Sequence, residues 1–275
     1  MLKRILVGLG GTDYTVTAIN QAVALAMAND AEMTGVTIID KERLSHVGPV
    51  PIGGGNYARG LVADRIEKAR DRVDWAMQEF TEACSASGVR HRVLREVGEP
   101  FSLMIDHARY HDLMIFGLRS LFEFDLVPDP HDALVRLVEA GVRPLLAVSK
   151  GFHPVNKVLI AYSGSMESAK AMKRFVQMRL WPEAKLRIVT FAHQEDKAEQ
   201  LVGDAADYCR AHGFEPEVAC VPESPKNHLL PYAAEWGADL TVVGNSARNL
   251  LLRRIVGETA LHVSRHSDRP RFLAQ

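Results

Sequence analysis

No long apolar run, no surplus of either charge and no paired cysteine framework mark this chain of 275 residues. The longest uninterrupted aliphatic run, Ala22 to Ala28, falls well short of the ~20 apolar residues that a membrane-spanning helix needs. Lys and Arg number 33 against 34 Asp and Glu, so there is no bulk field to draw in nucleic acid or an anionic membrane surface. A local basic cluster, Arg248, Arg253, Arg254, Arg265, Arg269 and Arg271 against Glu258 and Asp268, lacks the interleaved aromatics on which nucleic-acid bases stack. The three cysteines, Cys84, Cys209 and Cys220, are odd in number and show no C-x-x-C spacing. They read as reduced thiols rather than as disulfides or metal ligands. Lys3 and Arg4 are followed by no apolar segment with a cleavage site, and with the reduced thiols this points to the cytoplasm. What is present is ordinary: 47% hydrophobic and 24% charged residues, enough apolar sequence for packed cores.

The chain repeats itself. Ile5-Leu6-Val7-Gly8 leads into a Gly/Thr-rich turn, and Val158-Leu159-Ile160-Ala161 leads into Tyr162-Ser163-Gly164-Ser165. Asp112-Leu-Met-Ile-Phe-Gly117 matches Asp239-Leu-Thr-Val-Val-Gly244, and Arg143-Pro144 matches Arg269-Pro270 ahead of a last apolar run. The blocks keep their order, so a duplicated domain is the economical reading, with domains at 1–150 and 151–275. In the first, β-branched runs at 3–8, 32–39, 89–95, 112–117 and 144–148 predict strands, with helical patterns at 13–29, 61–87, 100–110 and 131–140. In the second, strands are expected at 157–162, 185–192, 214–221, 239–244 and 270–274, and helices at 166–180, 195–212, 226–236 and 248–264. Such alternation implies βαβ crossovers: an α/β fold of two tandem doubly wound domains, each a five-stranded, mostly parallel sheet flanked by helices. Pro100 and Pro225 stand where a first helical turn tolerates proline. The stretch Ser45 to Gly60, rich in Gly and Pro, reads as an irregular surface loop.

In open parallel sheets ligands bind beyond the carboxyl ends of the strands, where strand order reverses. The turn after the second half's fourth strand reads Gly244-Asn245-Ser246-Ala247, then nine residues, then Gly257-Glu258-Thr259. Small residues so spaced let a backbone loop close on phosphates, although glycines alone serve ordinary turns as well. This spacing resembles the nucleotide-binding signature of the universal stress protein family, G-x-x-G, nine residues and G-[ST]. Both halves also carry an opening pattern similar to the family's: Gly11-Thr12-Asp13, Thr15 and Ala18, and Gly164-Ser165, Glu167-Ser168 and Ala171. A later family pattern appears as Gly98-Glu99-Pro100 through Gly117.

The resemblance covers essentially the whole chain and implies a tandem universal stress protein. That is a stress-response binding or regulatory protein, not a dedicated catalyst, with at most slow ATP hydrolysis. It implies ATP or a related adenine nucleotide in the second domain, with the Gly244 and Gly257 amides and the Thr259 hydroxyl on the phosphates. Ala247 stands in place of the second glycine. Glu258 stands where a hydroxyl usually meets phosphate, so Mg²⁺ or the nearby Arg248 must offset its charge. Ser163 occupies the position of an aspartate in ATP-binding members, and Phe191 the position whose backbone usually meets the base. In the first half Gly117 is followed by Leu118-Arg119-Ser120 and, at the matching distance, by Pro130-His131. Glu123, Asp125, Asp129 and Asp132 intervene, and this acidic loop implies a lost phosphate site. The resemblance also implies that the fifth strands, 144–148 and 270–274, pair within one chain as an intramolecular pseudo-dimer, with further homodimerisation left open.

Two rival constellations remain. Gly10-Gly11-Thr12-Asp13 and Ser163-Gly164-Ser165-Met166-Glu167-Ser168 approximate the S-G-G-x-D-S loop of ATP pyrophosphatase-type (PP-loop) adenylating enzymes, with Leu9, Tyr14, Ser165 and Glu167 loosening the match. His107 and His111 share the i, i+4 spacing of a helical metal pair, as do His262 and His266. With no third ligand at a recognisable spacing they read as surface histidines. No G-x-S-x-G elbow accompanies the serines.

Overall fold

The computed structural model describes residues 2–45, 54–117, 144–192, 195–244 and 269–274. The chain divides into two compact units, Lys3–Leu137 and Val138–Gln275, the latter with residues 1–2.

In the first unit, strands β1 (Arg4–Gly8), β2 (Glu32–Ile39), β3 (His91–Val97) and β4 (Leu113–Gly117) alternate with helices α1 (Asp13–Asn29), α2 (Lys41–Ser45), α3 (Gly55–Ala86) and α4 (Pro100–Ala108). The strands are parallel in the order β3-β2-β1-β4. Their apolar runs are covered on both faces, as parallel sheets require: Ile5, Leu6 and Val7 are completely buried. Helix α1 presents Ala18, Ile19, Ala22, Val23, Leu25 and Ala26 to the core. Helix α3 buries Ala69, Val73, Ala76, Phe80 and Cys84, a spacing of three and four that lines one helical face. Phe80 of α3 packs against Gly35 on β2, where a Cβ would come within 3.0 Å of its ring and 2.9 Å of Leu9 Cδ1.

Helix α3 overturns part of the irregular loop expected over 45–60. Gly55 to Gly60 form its opening turns, and Ser45 ends α2. Glycine costs a helix most where it weakens an established hydrogen-bond ladder. In a first turn the amides have no intrahelical partner anyway, so Gly55 is tolerated there. Residues 46–53 lie outside the described residues.

In the second unit, β6 (Lys157–Ala161), β7 (Lys185–Phe191), β8 (Glu217–Val221), β9 (Leu240–Gly244) and β10 (Arg271–Ala274) alternate with α5 (Met166–Met178), α6 (Glu195–Ala211) and α7 (Pro225–Trp236). Strand β5 (Leu145–Val148) groups with this unit. It pairs antiparallel with β10, Leu146 opposite Phe272, and the strand order is β5-β10-β9-β6-β7-β8. The pairing of the two last strands within one chain is therefore present, and every other ladder in the unit is parallel. Pro100 and Pro225 both occupy first helical turns. The helices expected at 131–140 and 248–264 lie outside the described residues, as does the acidic loop.

The repeated Asp-Leu motif has the same structural role in both units. Asp112 Oδ2 accepts the amides of Lys3 at 2.8 Å and Arg4 at 2.9 Å, and the Asp112 amide donates to the Arg4 carbonyl. Asp239 Oδ2 accepts the amides of Asn156 and Lys157, each at 3.0 Å, and its own amide donates to the Lys157 carbonyl. Asp112 thus clamps the start of β1 to the start of β4, and Asp239 the start of β6 to the start of β9. The Gly98-Glu99-Pro100 pattern is a helix start. Glu99 caps α4 by accepting from the Ser102 amide at 2.8 Å and the Ser102 hydroxyl at 2.9 Å. Among the described residues no helix is long and apolar enough to cross a membrane.

Candidate functional site

Strand order reverses between β1 and β4 in the first unit and between β6 and β9 in the second, and it is beyond the carboxyl ends of strands at such switch points that open parallel sheets bind ligands. In the second unit the chain leaves β6 through Tyr162, turns at Gly164 (φ +73°) and enters α5 with Ser165 as N-cap. Ser163, Gly164, Ser165 and Met166 are exposed, and Ser168 is buried. The hydroxyls of Ser163, Ser165 and Ser168 lie 3.2–3.3 Å from one another. The Ser168 amide donates to Ser165 Oγ at 3.2 Å, and the Ser163 amide to Ser168 Oγ at 3.3 Å. This cluster sits at the positive end of a 13-residue helix, an environment that favours an anion by about 0.3–1 kcal/mol.

Gly244 ends β9 directly beside this turn. A Cβ there would stand 2.5 Å from the Ser168 amide nitrogen and 2.6 Å from the Glu167 carbonyl. The β9 backbone therefore approaches the first turn of α5 more closely than any side chain allows. Of the residues expected in the site, the structure brings together Ser163 and Gly244. Phe191, the last residue of β7, lies one strand further out. It stands opposite Val221, and its ring packs edge-on against Tyr232 at 6.3 Å and onto the cluster of Leu159, Val189 and Leu229. Its side chain packs against that core. Ala247, Arg248, Gly257, Glu258 and Thr259 lie outside the described residues.

Ser165 and Ser168, named from sequence only in the loose S-G-G-x-D-S match and the opening pattern, join Ser163 in the turn. Their spacing, a serine three residues ahead of another at a helix start, is the signal that marks them. Tyr162 lies half-buried beside them; burial first, then Asp204 and Cys209, raise its phenol above the usual value and keep it protonated.

The first unit's corresponding turn differs. Leu9, Gly10 and Gly11 are buried. Gly11 (φ +63°) lies against α3, where a Cβ would be 2.8 Å from Arg72 Cβ and 3.1 Å from the Arg72 carbonyl. The α3 backbone covers the place where the second unit exposes serines.

The other sequence candidates resolve plainly. His107 and His111 do not converge on a metal and are not free surface histidines. Both are half-buried, His107 Nε2 lies 3.3 Å from Glu96, and His111 uses both ring nitrogens in hydrogen bonds. Among the described residues no group of three or more His, Cys, Asp or Glu is placed to hold a metal ion. Cys84 and Cys209 are fully buried free thiols, and burial pushes them up to about 11 and about 12, which keeps them protonated and unreactive.

The sequence pattern of the universal stress protein family matches residues 1–122 and 190–273. A universal stress protein of Synechocystis sp. is 26% identical over 137 residues. That match covers 49% of this chain and 48% of the relative, so the chain spans about half the length of the curated relative it matches. The fold is similar to that of a universal stress protein from Archaeoglobus fulgidus DSM 4304, with a TM-score of 0.64 at 18% identity over 99% of this chain and 96% of that one. It is also similar to that of a functionally unknown protein from Pseudomonas aeruginosa PAO1, with a TM-score of 0.58 at 14% identity over 99% of this chain and 92% of that one. With a family pattern matched in both halves and two doubly wound units that repeat the same clamp, the chain belongs to the universal stress protein family.

Proposed function

We propose that this protein is a cytoplasmic stress-response binding or regulatory protein that takes ATP or a related adenine nucleotide in its second domain. Its domains are the two repeats that meet near Lys150 and Gly151. The observation that carries this reading is the turn after β6, where the exposed Ser163 and Ser165 stand at the N-terminus of α5 and Gly244 lets the end of β9 lie against the first turn of that helix. These groups fit an anionic ligand: Ser163 and Ser165 supply hydroxyl donors and α5 its terminal dipole. Gly257 and Thr259 complete the phosphate contacts in this reading, with Arg248 or Mg²⁺ balancing Glu258. Among the described residues the turn's hydroxyls bond to one another and to the Ser165 carbonyl. In this reading the site holds and positions phosphates, with at most slow ATP hydrolysis.

The first domain is a structural partner in this account, because α3 covers its equivalent turn. Ser163 in place of a base-reading aspartate makes affinity modest. Ser163→Asp is accordingly expected to tighten Mg-ATP binding by about tenfold, the equivalent of one added hydrogen bond. Titration calorimetry on the intact protein and the variant reads this directly. An unchanged or weakened affinity in the variant sinks the assignment of this position to the base.

A further inference from the structure

At the amino end of the first unit's sheet, away from the carboxyl ends of the strands, a histidine is built into a chain of hydrogen bonds. Arg92 Nε donates to Thr34 Oγ1 at 3.0 Å. His111 Nε2 lies 3.0 Å from the same hydroxyl, and His111 Nδ1 lies 2.6 Å from the His107 carbonyl oxygen. A carbonyl only accepts, so Nδ1 carries a ring proton, and when the ring is neutral Nε2 accepts from the Thr34 hydroxyl.

The charged groups around it favour that state. Arg4 faces it from β1, Arg92 from β3 and His107 from α4. The carboxylates nearby are engaged elsewhere: Glu32 of β2 accepts from Arg4 Nε at 2.6 Å, Glu96 of β3 faces His107, and Asp112 holds the Lys3 and Arg4 amides. Burial, and then the charges of Arg4, Arg92 and His107, hold His111 below its ordinary value of 6.5 against the opposing pull of the His107 carbonyl. A second proton would turn Nε2 from acceptor to donor. Thr34 would have to swing its hydroxyl proton away, and a further cation would stand among two guanidinium groups.

The second unit provides an internal comparison. Its strand register puts Arg187 opposite Glu217 where the first unit has Thr34 opposite Arg92. That pair forms a direct charged contact, Arg187 Nε to Glu217 at 2.7 Å. The residue before the clamping Asp239 is the buried Ala238, where the first unit has His111 before Asp112.

We propose that His111 is an acid-sensitive latch: its protonation frees the connector 109–112 and loosens the Asp112 clamp on β1, while the Asp239 clamp stays closed. Because the closed form disfavours the proton and the open form does not, the latch is fully held above pH ~6.5 and weakens as pH falls below it.

Amide hydrogen exchange on the full chain, corrected for the intrinsic rate at each pH, tests this. Opening at the Arg4 and Asp112 amides is expected to rise by up to about tenfold per pH unit below ~6.5. The Lys157 and Asp239 amides should show no such rise. His111→Gln should abolish the acid response, and Arg92→Gln, which removes a facing cation, should shrink it. An equal acid response at both clamps in the unaltered protein overturns the proposal even if a variant fails to fold. So does an unchanged response in His111→Gln.

Discussion

Gly244→Ala is expected to destabilise the second unit by about 3 kcal/mol, at the upper end of what an inserted methyl costs a packed site. The reason lies in what the methyl would strike. At 2.5 Å from the Ser168 nitrogen and 2.6 Å from the Glu167 carbonyl, it meets backbone in the first turn of α5, not the end of a flexible side chain. Rotamer change cannot relieve the contact, so α5 or β9 must move. Either movement separates the serine cluster from the carboxyl end of β9. A lower urea midpoint with an unchanged denaturant slope would report the loss of stability. A midpoint equal to that of the unaltered protein would mean that β9 and α5 are not packed as closely as these distances state. Gly11→Ala makes a contrasting case, since its positive φ and the Arg72 contact penalise the first unit without touching the second.

The second large effect is expected at the aspartate clamps. Asp239→Ala removes a carboxylate that accepts two amides at 3.0 Å, those of Asn156 and Lys157, and leaves both donors to find other partners. Hydrogen bonds to an ionised acceptor contribute about 1.5–3 kcal/mol each when made and desolvated. Asp239 is partly exposed, with 20% of its side chain accessible, so water replaces part of what is lost. A cost of about 2–3 kcal/mol follows. Asp239→Asn, which keeps one accepting oxygen, should lose less than half of that. Asp112→Ala should have a similar cost in the first unit, because Lys3 and Arg4 stand to it as Asn156 and Lys157 stand to Asp239. Thermal unfolding of the three variants checks the ordering. An alanine variant as stable as its asparagine counterpart would remove the clamp from the account.

These clamps show where sequence reading succeeds and where it stops. Repeated Asp-Leu blocks were visible in the chain, and so was the alternation of apolar runs that became parallel strands, because burial on both faces leaves a continuous β-branched signature. The role of the aspartate was not visible, since its partners, Lys3 and Arg4 or Asn156 and Lys157, lie far away in sequence. Helix α3 began earlier than its apolar pattern suggested. Its opening turns are mostly exposed and carry glycines, so neither hydrophobic period nor propensity marks them. Gly244 was legible from spacing as a phosphate-loop glycine, whereas the reason the structure gives for it is the close approach of β9 to the first turn of α5. Phe191 was legible as a strand end, but the ring's place in the core against Tyr232 depends on a helix that only the fold brings near. Ser165 and Ser168 read as a helix start and a loose motif. Their convergence with Ser163 needed the left-handed Gly164 between them. The unequal exposure of the two equivalent turns depends on α3 crossing Gly11, a tertiary contact with no sequence signature.

In the function proposed above, nucleotide is held by the second domain alone. Titration calorimetry with Mg-ATP on the intact chain and on Gly257→Glu tests it most directly, with circular dichroism to show that both are folded. A measurable heat of binding at one site per chain is expected for the intact protein and its loss in the variant, because a second carboxylate beside Glu258 repels phosphate. Equal heats for the two proteins, or none for either, would contradict it.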